Sequence, residues 1–547
     1  MRLIPLLCPL ASSPGGASRI SVATHALRPA LFAMATATSL SLHAQTVPVQ
    51  SPDETAPVKP AAQTAPVQPP ALQIGIDGGF AATDNGGLSP SGQERADLIA
   101  TVRPKVAYFR RTSRMEVDVE AAAGLVAYAK GTQKNEVLPE VRAFARSELI
   151  ERWLYFDAAA TVGQTELDSF GTRVNQLTSA NRRTGTSFRA SPYVLRDLSS
   201  NSSVLALYDL ATENNGADTG ARRVSQRTVV RYEMKPAPVG AAFEIARLDN
   251  ETQGVADSRL TVDTARAVAR IVLQNQMILG AIAGADRSDT AGRSHTDPLY
   301  GASAVWNPGP RTSLDGTLEH RFFGVGGSLA LRHRTPLMSF AVAVGRGPAT
   351  VTSTLGQVDA RSDLRPLLDA VLTSRYSDPA VRRGLVQSVV DSRALDVRLP
   401  APTNIVADYQ QLQTNANATW VYLGTRNTAA LTLYTQKLQQ LSHEGDPPPP
   451  GGAQNDNRQA GASFQLGRRL EPHLSVGATL SWSKITGLAA RAGESSEEWV
   501  QRIDISRALS TRTAILAGLK YNRFSSNATG QHDYKATLAF AGMRHSF

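Results

Sequence analysis

The chain of 547 residues carries a formal charge of +10, 42% hydrophobic residues and one cysteine, Cys8. A mature protein that begins after Cys8 has no disulfide, no cysteine-based metal site and no thiol chemistry. Its basic excess is thinly spread and not interleaved with aromatics, which argues against a nucleic-acid surface. A mean hydropathy of -0.20 leaves the membrane open, because a transmembrane barrel needs an apolar residue only at every second position.

Residues 1–44 contain Arg2, Arg19 and Arg28, no acid, an apolar run over 30–42 and small residues before Gln45. This is the pattern of a cleaved secretory signal, with Leu42-His43-Ala44 offering a small residue before the cut. The run is roughly 13 residues, short of the ~20 that a spanning helix needs. Removing the three arginines takes the charge from +10 to +7. Pro5-Leu6-Leu7 lacks the small residues expected before a lipidated Cys8. Residues 45–71 are rich in Pro, Ala, Val, Gln and Thr, a composition that favours an extended, disordered linker and buries no core.

From residue 72 the chain shows a period of two, the signature of strands with one apolar and one polar face. In 115–123, Met115, Val117, Val119 and Ala121 share one face, and Glu116, Asp118 and Glu120 the other. In 312–322, Leu314, Leu318 and Phe322 oppose Asp315, Glu319 and Arg321. In 474–483, Leu474, Val476, Leu480 and Trp482 oppose small polar residues. Acids on one whole face require water or cations there, so Glu116, Asp118, Glu120, Asp315, Glu319 and Arg321 are candidate lumen-lining residues.

Long polar connections are expected at 84–93, 168–180, 212–220, 286–297, 442–457, 485–497 and 525–532. Short ones are expected at 111–113, 335–336, 424–427, 470–472 and 509–511. They alternate, one end tight and the other elaborate, as in an up-and-down barrel with short periplasmic turns and long extracellular loops. The expected fold is all-β: a transmembrane antiparallel up-and-down β-barrel over 72–547, with about 22 strands in a range of roughly 16 to 24. The aromatic terminus, Phe547, fits the insertion signal of such a barrel. Trp153, Tyr155, Trp306, Phe322, Phe323, Trp420, Tyr422, Trp482, Tyr521 and Phe524 suit interfacial girdles, with core positions the alternative for some of them.

One connection, 351–404, reads as helical. Leu364, Leu367, Leu368, Val371 and Leu372 are spaced for one helix face, with Ser362 or Asp363 as cap. Asp378-Pro379 opens a second helix that carries Val381, Leu385, Val386, Val389 and Val390. Strand parity puts this hairpin on the extracellular side, either as a lid or plug or as a surface hairpin with no gating role.

No catalytic spacing is present: there is no Gly-x-Ser-x-Gly elbow, no His-Glu-x-x-His pair and no phosphate loop. Ser294, His295 and Asp297 read as loop polarity rather than a hydrolase fragment. No catalytic residue, cofactor site or metal site is assigned. Glu116, Asp118 and Glu120 resemble an oxygen ligand set, but a solvated wall paired with Arg or Lys is the commoner outcome.

Several short motifs recur in order along the chain: Thr83-Asp84-Asn85, Ala190-Ser191-Pro192-Tyr193, Trp306-Asn307-Pro308 leading to Arg311-Thr312, Arg321-Phe322-Phe323-Gly324, His333-Arg334-Thr335-Pro336 and Leu423-Gly424-Thr425-Arg426-Asn427-Thr428. With the helical insertion, they resemble the outer-membrane β-barrel proteins associated with the PEP-CTERM and exosortase system of Gram-negative bacteria. That resemblance implies a barrel tied to exopolysaccharide biosynthesis and export, with no activity assigned to particular residues. The expected location is the outer membrane. The expected partners are its lipid and lipopolysaccharide, the barrel assembly machinery and polysaccharide export components, with no nucleic acid. Three functions stay open: a pore or structural barrel without covalent catalysis, a non-conducting surface scaffold, and an outer-membrane hydrolase. In the terminal strand, His545 departs from the alternating apolar pattern that precedes Phe547.

Overall fold

The computed structural model describes residues 71–547 except 174–178, 180, 215–221, 254–257, 274–275, 291–292, 352–362, 393–394, 396, 398, 400, 404–408 and 444–455. The segments expected to be a signal sequence and, for nearly all its length, a linker lie outside the described residues.

Twenty-two strands form one sheet. They are β1 (Ala71–Thr83), β2 (Asp97–Arg111), β3 (Met115–Tyr128), β4 (Glu136–Ile150), β5 (Leu154–Thr165), β6 (Arg183–Asp197), β7 (Ser202–Asn214) and β8 (Arg222–Met234). Then come β9 (Val239–Gln253), β10 (Ser258–Leu273), β11 (Met277–Thr290), β12 (Arg293–Gly309), β13 (Thr312–Arg321), β14 (Gly324–Arg334) and β15 (Met338–Pro348). Two helices follow, α1 (Arg365–Leu372) and α2 (Pro379–Ser392). The last strands are β16 (Gln411–Leu423), β17 (Asn427–Gln440), β18 (Asn457–Glu471), β19 (Leu474–Gly487), β20 (Ser495–Ala508), β21 (Thr513–Ser526) and β22 (Tyr534–Ser546).

Each strand pairs antiparallel with its sequence neighbours, and β22 pairs with β1 from Gly75↔Ser546 to Thr83↔Leu538. The ring is therefore closed and has no edge. A strand such as β11, with 14 residues, is about 46 Å long at 3.3 Å per residue, or about 33 Å of height at a 45° tilt. That matches a hydrocarbon layer of about 30 Å. No helix among the described residues is long and apolar enough to cross a membrane.

Adjacent residues show which side faces lipid. Ile245 is 70% exposed beside Glu244 at 8%, Leu318 is 62% exposed beside Glu319 at 6%, and Ile503 is 63% exposed beside Asp504 at 8%. In water this order would be reversed. Charges inside and aliphatic side chains outside are what an alternating strand gives when its outer solvent is hydrocarbon. Trp153, Trp306 and Trp420 lie toward one end of the barrel. Trp482 and Trp499 lie toward the other, their rings 6.3 Å apart and both indoles donating to Glu497.

Connections after even-numbered strands are tight, such as 112–114, 310–311 and 472–473, whereas 84–96, 166–182, 349–410 and 441–456 follow odd ones. The long loop expected at 286–297 is absent. Instead β11 and β12 stay paired out to Thr290↔Arg293, because their polar residues face each other across the strands, Asp289 against Ser294 and Arg287 against Thr296. Two expected girdle residues, Phe322 and Phe323, are buried with Leu260, Val262, Leu412 and Leu441. Phe524 is likewise buried, with Leu88, Tyr534 and Ala536.

Ile503→Arg places a cation on the outer face near mid-strand. It is expected to destabilise the folded barrel by about 2–4 kcal/mol, measured by urea unfolding in lipid vesicles with tryptophan fluorescence.

Candidate functional site

The alternation of β3 carries Glu116, Asp118 and Glu120 to one face, and cations of the insertion meet two of them. Arg365, the first residue of α1, reaches Glu120 at 2.8 Å. Arg383 of α2 stands 3.9 Å from Glu116, with its guanidinium 3.4 Å over the Phe109 ring of β2. Asp363 is 3.9 Å from Arg142 of β4. Its carboxylate also accepts the Arg365 backbone N–H at 2.8 Å, satisfying a donor that the first helical turn leaves free. Arg382 ties α2 to Asp369 of α1 at 2.8 Å.

The opposite side of the hairpin is apolar. Leu364, Leu368, Val371, Leu372, Val386 and Val390 are buried against Val421 and Leu423 of β16 and Ala430 of β17, with Leu367, Leu385 and Val389 packed around them. Val381, expected on this face, is exposed. It lies in the first turn of α2, where Arg382 is bonded to carbonyls of the connecting residues Tyr376 and Ser377. Ser475 of β19 donates to the Ser392 carbonyl.

The hairpin thus touches β2–β4 on one side and β16, β17 and β19 on the other, walls separated by β20–β22 and β1. A body that contacts both inner walls lies between them. Its contacts fall near the short-turn ends of these strands, although 349 and 410, where the insertion leaves and rejoins the sheet, are at the long-loop end. Parity locates the attachments correctly but not the helices. A segment this long can descend, and the apolar patch at Val421, Leu423 and Ala430 gives its apolar face a partner.

The inner wall from β8 to β13 is ionic. Arg231, Glu244 and Arg266 are direct cross-strand neighbours on β8, β9 and β10. Arg266 also reaches Glu319 on β13. Gly301 stands in register with Glu319, where a Cβ would come within 2.9 Å of the Glu319 Cα. Arg321 donates twice to Asp286, both at 2.8 Å, and once to Thr264 at 3.0 Å. Asp315 is half-buried, and its Oδ2 has no hydrogen-bond partner.

The long-loop end is interlocked. Loop 166–182 folds over toward β20–β22: Phe170 is buried with Ile485 and Ala528, and Arg491 stacks over its ring at 3.9 Å. Asp168 accepts from Arg491 at 3.0 Å and from Gln531 at 3.0 Å. Asn250 on β9 donates to the Gln410 side chain at 2.6 Å and to the Ala349 carbonyl at 3.3 Å, holding both roots of the insertion against β9.

Ser294, His295 and Asp297 do not converge. Asp297 pairs with His443 at 2.9 Å, His295 stacks on His443 at 4.2 Å, and Ser294 accepts from Arg287 at 3.3 Å. Phe547 donates its N–H to the Ile74 carbonyl at 2.9 Å, with an exposed ring. His545 bonds Thr513 at 2.9 Å, which satisfies the polar residue that breaks the terminal pattern. Among the described residues no group of three His, Cys, Asp or Glu is placed to hold a metal ion.

No protein-family model matches the chain, and no curated protein matches it. Solved outer-membrane barrels do. The FrpB iron transporter of Neisseria meningitidis (F5-1 variant) is 10% identical, with a TM-score of 0.46, over 88% of this chain and 83% of that one. The siderophore receptor PirA of Pseudomonas aeruginosa is 9% identical, with a TM-score of 0.40, over 88% and 81%. OccK2 (OpdF) of P. aeruginosa, in complex with glucuronate, is 7% identical, with a TM-score of 0.30, over 87% and 98%. At this level they are similar in kind, as outer-membrane barrels, and carry nothing about cargo.

Arg321→Met leaves the fully buried Asp286 without its guanidinium. A loss of about 3 kcal/mol is expected, the scale for breaking a buried pair from one side, measured by the urea midpoint; the double variant Arg321→Met, Asp286→Leu should recover most of it.

Proposed function

We propose that this chain is an outer-membrane pore held shut by its own insertion, with the hairpin of α1 and α2 as a plug that moves to let solute pass without covalent chemistry. The observation that carries this reading is the hairpin's double anchorage. One side is apolar, on Val421, Leu423 and Ala430, and the other is ionic, on Glu116, Glu120 and Arg142. An apolar contact holds in any salt, whereas exposed or half-exposed ion pairs contribute about 0–1 kcal/mol each and weaken with ionic strength. The ionic side is therefore the one that releases first, and the apolar side is the hinge.

Polysaccharide as the cargo follows from the chain's resemblance to barrels of the PEP-CTERM and exosortase system. In this reading a cleaved signal takes the chain to the periplasm, the assembly machinery recognises the strand that ends at Phe547, and export components act with the barrel. A non-conducting surface scaffold is the second reading. It is favoured by the interlocked loops at Asp168, Arg491 and Gln531, which make a rigid face at the long-loop end.

Planar bilayers separate the two. The wild-type protein is expected to conduct little, and deletion of 352–403 with a short linker is expected to give steady channels; silence in both forms sinks the pore. The double variant Arg365→Ala, Arg383→Ala is expected to open more often than wild type at the same voltage, and high salt should narrow the difference.

A further inference from the structure

The inner wall of β15–β19 is unlike the rest of the lumen. The inward positions of these five strands carry no charged residue except Arg469, at the short-turn end of β18, whereas β8–β13 carry a continuous ionic network. In place of charge the wall has amides and hydroxyls in register. Asn415, Gln436 and Gln459 face one another across β16, β17 and β18, and Thr419, Thr432 and Ser463 do so further down. The row between them is Asn417, Tyr434 and Gly461.

Gly461 matters because the hydroxyl end of the Tyr434 ring crosses it: a Cβ there would lie 2.4 Å from the Tyr434 Cζ. The ring is thus laid along the wall, with amides on one side and hydroxyls on the other. Neutral donors and acceptors around an aromatic ring suit a neutral polyhydroxylated chain. The strands themselves offer no cation to an anionic one at this ring; the nearest, Arg173, comes from loop 166–182.

A second, independent observation points to a ligand. Asn415 Oδ1, Thr432 Oγ1 and Gln465 Oε1 are buried with no hydrogen-bond partner, and their residues are all more than nine-tenths buried. Asn417 Oδ1 is unpartnered as well. Buried polar atoms are nearly always satisfied; those of the ionic wall that are not belong to charged residues such as Arg266 and Asp315, whereas on this strip they are neutral amide and hydroxyl oxygens free to accept from a hydroxyl. Its neighbour Gln459 is already engaged: its side chain accepts from the Thr403 N–H at 2.8 Å and donates to the Thr403 carbonyl at 2.8 Å. Thr403 belongs to the return arm of the insertion. When that arm leaves, Gln459 presents the same donor and acceptor pair to adjacent sugar hydroxyls.

We propose that the inner faces of β16–β18 form a binding strip for a neutral oligosaccharide chain, with Tyr434 as its stacking platform and Asn417, Thr432, Gln459 and Gln465 as its hydrogen-bonding rails, covered in the closed state by the insertion's return arm. This rests on the pore reading for access, because the arm has to move. The charges of the β8–β13 wall are largely paired with one another, so the cargo tracks the β16–β18 side of the lumen.

The test uses the purified full-length protein and the variant lacking 352–403, titrated calorimetrically with maltoheptaose, a β-linked glucan oligomer and a mannan oligomer. Oligogalacturonate serves as the anionic counterpart and polyethylene glycol of equal mass as the non-saccharide control. At least one neutral oligomer is expected to bind the deletion variant more tightly than wild type and to reduce its conductance. Tyr434→Leu and Asn417→Leu, each made in the deletion variant, are expected to weaken binding about tenfold, the scale of one lost contact worth 1.4 kcal/mol. Tryptophan fluorescence in vesicles confirms that each variant is folded, and Leu433→Ala on the outer face of the same strand should bind normally. Preference for oligogalacturonate, unchanged binding in both strip variants, or no binding of any neutral oligomer by a conducting deletion variant overturns the strip and leaves the pore intact. A deletion variant that binds a neutral oligomer through Tyr434 yet never conducts overturns the pore and leaves the strip.

Discussion

A backbone that crosses hydrocarbon has no water to take its N–H and C=O groups, and each one left open costs several kcal/mol. In this protein the requirement is met at one seam, where β1 and β22 pair from Gly75 to Thr83. Every other feature is permitted by that closure. The outer face can be Ile245, Leu318 and Ile503 because nothing polar in the backbone is exposed beside them. The inner face, relieved of any need to be apolar, is free to be ionic in one sector and neutral in another.

The division of the interior decides what the lumen can do. Between β8 and β13 the cross-strand order of Arg231, Glu244 and Arg266 sets opposite charges side by side, so that sector is a wall held by its own ion pairs, although Asp315 Oδ2 is left without a partner. Such a network holds its shape, and most of its charges are engaged with each other. Between β15 and β19, away from the apolar foot at Val421, Leu423 and Ala430, amides, hydroxyls and glycines surround Tyr434, and several buried atoms have no partner. The hairpin of α1 and α2 lies between a third sector, the acids of β3, and the apolar foot of β16. Its two sides answer to different physics, one to ionic strength and the other to the burial of Leu368 and Val371.

The barrel was legible in the sequence because a period of two with acids on one face has few other solutions, and because odd and even connections differ in length. The strand number and the helix positions followed from the same patterns. What failed was the behaviour of polar segments. The run 286–297 looks like a loop by composition, yet Asp289 against Ser294 and Arg287 against Thr296 make a ladder beyond the membrane. Phe322 and Phe323 look like girdle residues, but the turn between β13 and β14 delivers them inward. The partners of Glu116 and Glu120 were out of reach, since Arg365 and Arg383 lie more than two hundred residues away. Phe170 was a readable signal: a lone phenylalanine in the polar loop 166–182 has to bury somewhere. The amide strip was also visible as Gln411, Gln413, Asn415 and Asn417 at alternate positions, but without register across three strands it reads as ordinary polarity.

The hairpin touches β2, β3 and β4 on one side and β16, β17 and β19 on the other, and the seam between β1 and β22 lies between those two groups. It therefore straddles the joint on which the ring depends. Closing a loop of several hundred residues is an entropic penalty that grows with its length, and the first and last strands are separated by nearly the whole chain. A folded hairpin that grips strands on both flanks shortens that separation before the last hydrogen bonds form. The same element that closes the lumen is a splint across the final weld, so its removal should slow the completion of the barrel as well as open it.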